Sequence, residues 1–168
     1  NLADADASTE DVTGTDFLWF RPAIAKVQWY PAGWPAGITV DLFGARYLMP
    51  PATPVTSVFP GLLTPTSNAT LTFDGGLTVT ISNDITISTA NTVANVPAAP
   101  SPTMTIAKAT GLISGTFTHS DGSKPAYQGV ILQKGSQVGG SGFFMSRATP
   151  VNGLGESGVV EVLAKPVE

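Results

Sequence analysis

The single histidine of the chain stands in the run His119-Ser120-Asp121, which holds the three residue types of a catalytic triad. A triad requires the three side chains to converge, with the base between the nucleophile and the acid. Neighbouring residues of a strand point to opposite faces, so three contiguous residues cannot form that relay. Because Asp121 is followed by glycine, we interpret the run as a turn and not as a nucleophilic site.

The carboxylates offer a second kind of chemistry. Asp41 and Glu161 are the only acids inside strand-like patterns, and a glycosidase would need two such groups in one cleft. The chain has no cysteine, which excludes disulfides and thiol nucleophiles. With so few titratable residues that could form a site, we expect a protein that is not an enzyme.

Residues 1–16 form an acidic segment that holds five of the twelve acidic residues. Their spacing lacks the glycine and the ligand order of an EF-hand loop, so we assign no metal site and keep Ca²⁺ as an alternative ligand. An extended arm can also add a strand to a neighbouring sheet edge, which makes it a candidate for assembly. The candidate arm residues are Asp4, Asp6, Glu10 and Asp11.

All three tryptophans lie within sixteen residues of one another. Exposed aromatic rings bind sugars by stacking, so Trp29, Tyr30 and Trp34 are candidates for a carbohydrate platform. The alternative is that the rings fill the core. Trp19 alternates with Phe17 and is predicted to face inward, whereas Trp34, between a glycine and a proline, is predicted to be the most exposed.

The elements that would position these residues are short strands. Only 12% of the residues are charged, 18 are glycine and 14 are proline, which favours many turns and few helices. Apolar residues alternate with threonine or other polar residues over 38–42, 70–73, 77–81, 85–88 and 103–106. This period of two predicts strands with one buried face. Turns are predicted at 74–76, 83–84 and 121–122, and ordered loops at 49–65 and 96–102.

These patterns predict a single all-β domain, an antiparallel barrel-like fold with a β-sandwich as the alternative. The acidic arm would span 1–16 and the domain 17–168. The net charge of −4 and the scattered basic residues argue against nucleic acid as a partner. No apolar run reaches the roughly 20 residues of a membrane span.

Residues 110–144 carry the pattern T-G-x-[FI]-x-G-x-F, then [FY]-x-G-V-[IL]-x-Q, then G-x-G-F-F. This pattern resembles a β module at the C-terminal ends of very large secreted repeat or surface proteins of environmental bacteria. The tryptophan region and residues 44–51 also resemble that module. The resemblance implies an extracellular or cell-surface setting and brings no catalytic residues.

We therefore expect a non-enzymatic extracellular domain that serves structure or interaction. It would be a terminal module of a surface protein or a subunit of an assembly, with a protein partner or self-association. The alternative is a carbohydrate-binding module whose exposed aromatics bind a polysaccharide.

Overall fold

A computed structural model describes residues 9–27, 29–53, 55–76, 79–146 and 155–166. These residues form ten strands and no helix. The strands are β1 Val12–Arg21, β2 Trp34–Gly44, β3 Ala69–Asp74, β4 Ile81–Ile87, β5 Val93–Val96, β6 Thr105–Ala107, β7 Leu112–Thr116, β8 Ala126–Leu132, β9 Gly139–Ser146 and β10 Glu156–Ala164. Within this part of the chain, no helix is long and apolar enough to cross a membrane.

The strands form two antiparallel sheets. Eight of them follow the order β5-β4-β3-β10-β9-β8-β7-β6 in a nearly closed barrel, and β1 pairs with β2 in a separate ribbon. The last strand, β10, lies between β3 and β9, so it joins two meanders that are far apart in the sequence. The expected all-β, barrel-like fold is therefore confirmed, and the arrangement is a barrel and not a sandwich.

The barrel has one gap, between the edge strands β5 and β6. The connection between these strands crosses the gap, and the side chain of Asn95 holds it in place. Its Nδ2 donates hydrogen bonds to the carbonyl oxygens of Ala99 (2.7 Å) and Pro102 (2.8 Å). This loop joins two strand edges, the kind of site at which a sheet can pair with another chain.

The barrel interior is filled by aromatic rings. Phe73 on β3 and Phe117 stack with centroids 4.0 Å apart, while Tyr127 and Phe144 meet Phe73 edge-on. All four rings are buried. Burial of each such side chain stabilises the fold by roughly 1.5–3 kcal/mol relative to leaving it in water.

The glycines of the sequence pattern permit close approach between β8 and β9. Gly129 and Gly142 are directly paired across these strands. A Cβ atom on Gly142 would lie 2.2 Å from the carbonyl oxygen of Gln128, so a larger residue would force the strands apart. The close packing of β8 against β9 therefore explains why Gly129 and Gly142 of the sequence pattern are glycines.

One predicted turn is wrong. Residues Asn83 and Asp84 lie inside β4 and pair with Leu71 and Thr70 of β3. The alternation continues through them. Asn83 lies on the same face of the strand as the inward-facing Ile85, whereas Asp84 faces outward and forms an ion pair with Lys165 at 2.7 Å. A strand was also predicted over 77–81; residues 77–78 lie outside the described residues, and β4 begins only at Ile81.

Candidate functional site

The triad-like run forms a turn, as predicted. His119 is buried, whereas Ser120 is exposed, so the two side chains do not converge. The Nδ1 atom of His119 lies 3.0 Å from Oδ1 of Asp121, and the same oxygen accepts a hydrogen bond from the Ser123 amide at 2.8 Å. The hydrogen bonds from Ser123 lower the pKa of Asp121, with a smaller contribution from His119. These contacts describe a closed turn and not a nucleophile with its base.

The candidate carboxylates lie on different sheets. Asp41 is on the ribbon, where its Oδ1 accepts a hydrogen bond from the amide of Asp16 at 3.1 Å. Glu161 lies on the exposed outer side of β10. Among the residues that the structure describes, no three acidic or histidine side chains converge on a possible metal position.

The acidic segment is held by the barrel itself where it is described. Asp11 accepts a hydrogen bond from the Arg46 amide at 2.6 Å and forms an ion pair with Lys134 at 2.9 Å. Glu10 accepts hydrogen bonds from the amide and hydroxyl of Ser136, both at 2.6 Å. These hydrogen bonds lower the pKa of both carboxyl groups. The other arm candidates, Asp4 and Asp6, lie outside the described residues.

The arm leads directly into the two-stranded ribbon. The boundary predicted after residue 16 falls inside β1, which begins at Val12. At the far end of the ribbon, the hydroxyl of Tyr30 hydrogen-bonds Oγ of Ser157 on β10. Beyond β2, Leu48 and Gln133 exchange hydrogen bonds at 2.8 and 3.2 Å. The ribbon is therefore fastened to the barrel near both of its ends.

The aromatic candidates gather at the Tyr30 end of the ribbon. The ring of Trp34 lies 5.1 Å from that of Tyr30 and 6.3 Å from that of Trp19. The guanidinium of Arg21 sits 5.9 Å from the Trp34 centroid and donates a hydrogen bond to the carbonyl of Trp29 at 3.0 Å. The structure thus brings the rings of Tyr30 and Trp34 together. Trp29 contacts Arg21 through its backbone carbonyl oxygen.

The predicted exposures of two tryptophans are reversed. Trp19, expected to face inward, is 59% exposed, whereas Trp34, expected to be the most exposed, is half-buried. The physical reason is that the ribbon does not join the barrel sheet. Alternation along β1 correctly places Trp19 and Phe17 on one face, but no described element covers that face.

One side of the ribbon carries only apolar side chains. Cross-strand pairing places Phe17 opposite Val40, and Trp19 opposite Ile38. We call this side the apolar face; its side chains are Val12, Phe17, Trp19, Ile38, Val40 and Leu42. Phe17 and Leu42 are each 51% exposed. The opposite side, the mixed face, combines Leu18, Phe20 and Phe43 with Thr13, Thr39 and Asp41.

The barrel wall carries a second exposed apolar area. Phe143 on β9 is 58% exposed and pairs directly with Val159 on β10, which is 49% exposed. We call this area the wall patch; it comprises Leu112, Val130, Phe143, Met145 and Val159. Ser157, the partner of Tyr30, pairs with Met145 beside it. The patch therefore begins where the ribbon touches the barrel.

Sequence reasoning did not identify the exposed ribbon. A signal was present, because the run Phe17-Leu18-Trp19-Phe20 places apolar side chains on both faces of a strand, whereas β3 alternates apolar residues with threonine. A strand of this kind needs cover on both faces. No family model, curated protein or solved structure matches this chain.

Proposed function

We propose that this chain is a non-enzymatic structural domain of an extracellular or cell-surface protein, and that it self-associates through the β1–β2 ribbon. The observation that carries this proposal is the exposed apolar face. A two-stranded ribbon is at best marginally stable in water on its own. Contact with another chain would remove its aromatic side chains from water and stabilise it.

The size of the ribbon surface supports this function. Six of its large apolar side chains are between 39% and 59% exposed: Phe17, Leu18, Trp19, Phe20, Leu42 and Phe43. Large apolar side chains offer roughly 150–250 Å² each, so these six leave about 500–700 Å² in water. Three of the six lie on each side of the ribbon. On the apolar face, Val12, Ile38 and Val40 add to the area of Phe17, Trp19 and Leu42, so that face alone is comparable with the largest apolar patch of a typical monomer, roughly 300–600 Å².

The extracellular setting rests on different observations. The outer faces of the barrel strands carry threonine and serine in place of the charged residues that usually cover a protein, and only 12% of the chain is charged. The resemblance of residues 110–144 to a module of secreted proteins points to the same setting.

Light scattering of the purified chain over a wide concentration range tests the proposal. We expect the molar mass to rise above 17.3 kDa with concentration, with or without Ca²⁺, because the ribbon needs no ion to associate. The double variant Phe17→Thr, Trp19→Thr should remain monomeric. Leu63→Thr, which replaces a 63% exposed residue elsewhere, is the control and should associate like the wild type. A wild-type mass of 17.3 kDa at every concentration would contradict the proposal.

The aromatic cluster favours a second candidate function, the binding of a polysaccharide. Trp19 offers an exposed ring beside Trp34 and Tyr30, and the guanidinium of Arg21, a group that can donate hydrogen bonds to hydroxyls, lies beside Trp34. In this case soluble glycans should quench or shift the tryptophan fluorescence of the monomer. Trp19→Thr should weaken that response, and an unchanged spectrum with every glycan would dismiss this function.

A further inference from the structure

We infer that the apolar face of the ribbon in one copy packs on the wall patch of a second copy. This inference rests on the proposed self-association and adds the receiving surface. In each contact one chain contributes its ribbon and the other contributes its wall patch, so the two sides of the contact are different surfaces.

Each chain exposes the apolar face of the ribbon and the wall patch, and one kind of contact can account for both. On the ribbon, Trp19 is 59% exposed; on the wall, Phe143 is 58% exposed. A symmetric contact between two ribbons would leave both wall patches in water, and a symmetric contact between two walls would leave both ribbons there. The packing of a ribbon on a wall covers both of these surfaces of every chain with a single kind of contact.

The ribbon does not cover the wall patch of its own barrel while its contacts with the barrel are made. Asp11 is bound to Lys134 near the start of β1, and Tyr30 is bound to Ser157 beyond its end. With these bonds in place, both Trp19 and Phe143 remain exposed. A second copy can supply the missing surface while the bonds stay intact.

The chemistry of the two surfaces is complementary. The apolar face carries no charged side chain, and its one polar side-chain group is the indole N–H of Trp19. The wall patch is bordered by polar residues, with Gln128 paired with Phe143 and Glu161 two residues after Val159 on β10. An apolar centre with a polar rim is the usual anatomy of a protein interface. Both surfaces are sheet faces, which pack about 10 Å apart.

The area is sufficient for a specific contact. With about half of each side chain accessible, each surface provides about 400 Å² of apolar area. Because roughly 60% of an interface is apolar, the whole contact would bury about 1,300 Å² from the two copies. That value lies within the range of stable interfaces, about 1,200–2,000 Å².

An unsymmetrical contact of this kind repeats, since each added copy presents a free ribbon or a free wall. Such contacts generate rings or open filaments. We therefore expect rings or head-to-tail chains, or a closed dimer in which each of two copies places its ribbon on the other's wall, and a molar mass that rises with concentration.

A complementation experiment tests the inference. The ribbon variant is Phe17→Thr, Trp19→Thr, and the wall variant is Phe143→Thr, Val159→Thr. All four side chains are about half or more exposed, and threonine suits a strand, so the barrel core is untouched. Each variant alone should remain at 17.3 kDa, with the concentration for association raised at least about tenfold. An equimolar mixture should form a one-to-one complex that grows no further.

The control and the contrary outcomes separate the two proposals. Leu18→Thr with Phe20→Thr on the mixed face should associate like the wild type. If the wall variant associates like the wild type, or if the mixture forms no complex, the wall patch is not the receiving surface. Self-association through the ribbon would then still stand. If the wild type itself is monomeric throughout, both proposals fail.

Discussion

At the scale of single residues, Asp11 couples the ribbon to the barrel. Its carboxylate binds the backbone at Arg46, which follows β2, and the buried side chain of Lys134, which follows β8. One side chain thus joins three segments of the chain. The hydrogen bond from the Arg46 amide and then the contact with Lys134 hold the pKa of Asp11 below its usual value.

This lowered pKa predicts a pH-dependent stability. The folded state binds a proton at Asp11 less readily than the unfolded state, so the contribution is present above the ordinary value of 3.8 and is lost as the pH falls through the folded value. We expect Asp11→Asn to have a lower Tm than the wild type near neutral pH, with a difference that closes in acid. Thermal unfolding of both proteins across this range measures it, and a difference that persists unchanged in strong acid would contradict the prediction.

The position of Asp11 in the acidic segment was readable from the sequence, but its role was not. Its partner Lys134 lies 123 residues away, and that of Glu10 lies 126 residues away. No local pattern specifies such a pairing, because it depends on how the ribbon meets the barrel. From the sequence alone, an acidic run predicts a solvated arm, because the distant partners of its carboxylates are not known.

At the scale of the elements, alternation was the reliable signal where one face of a strand is buried. It predicted β2, β3 and β6, where apolar residues alternate with threonine or aspartate. In β4 the alternation over 85–88 predicted the second half of the strand, whereas Asn83 and Asp84 were wrongly predicted as a turn because these residue types favour turns. For β1 it gave the correct faces, but it could not show that the barrel leaves those faces uncovered.

Two adjacent phenylalanines of β9 test this alternation directly. Phe144 is 1% exposed among the interior rings, and Phe143 is 58% exposed on the wall. Because truncation of a buried ring leaves a cavity, Phe144→Ala should lower the free energy of unfolding by about 3–5 kcal/mol. Phe143→Ala should lower it by less than about 1 kcal/mol, the contribution of a cross-strand pair. Urea unfolding at low concentration compares them, and similar losses would show that the assigned faces are wrong.

At the scale of the whole molecule, stability is unevenly distributed. The strands β3 and β10 are flanked on both sides in the barrel, whereas β1 and β2 each have only one neighbour. The turns predicted at 74–76 and 121–122 match the hairpins β3–β4 and β7–β8. No local pattern indicated that β10 lies between β3 and β9 or that the ribbon stands apart. A marginal element fastened to a stable one is expected to open locally without unfolding of the whole.

This uneven stability gives a prediction for hydrogen exchange. In the dilute monomer, amides of β1 and β2 should exchange faster than those of β3 and β10, since two strands alone bury too little apolar surface to resist opening. At concentrations where light scattering shows association, ribbon amides should slow at least about tenfold, because opening then requires loss of the contact with the neighbouring copy.

Mass spectrometry of exchange at two concentrations measures this change, and the ribbon variant is the control, since its ribbon should exchange equally fast at both. Ribbon amides of the wild type that are equally protected at both concentrations would contradict the prediction, because an interface formed by the ribbon must protect it. If amides of β9 and β10 also exchange more slowly at the higher concentration, the wall patch and the ribbon are protected together, as ribbon-on-wall packing requires.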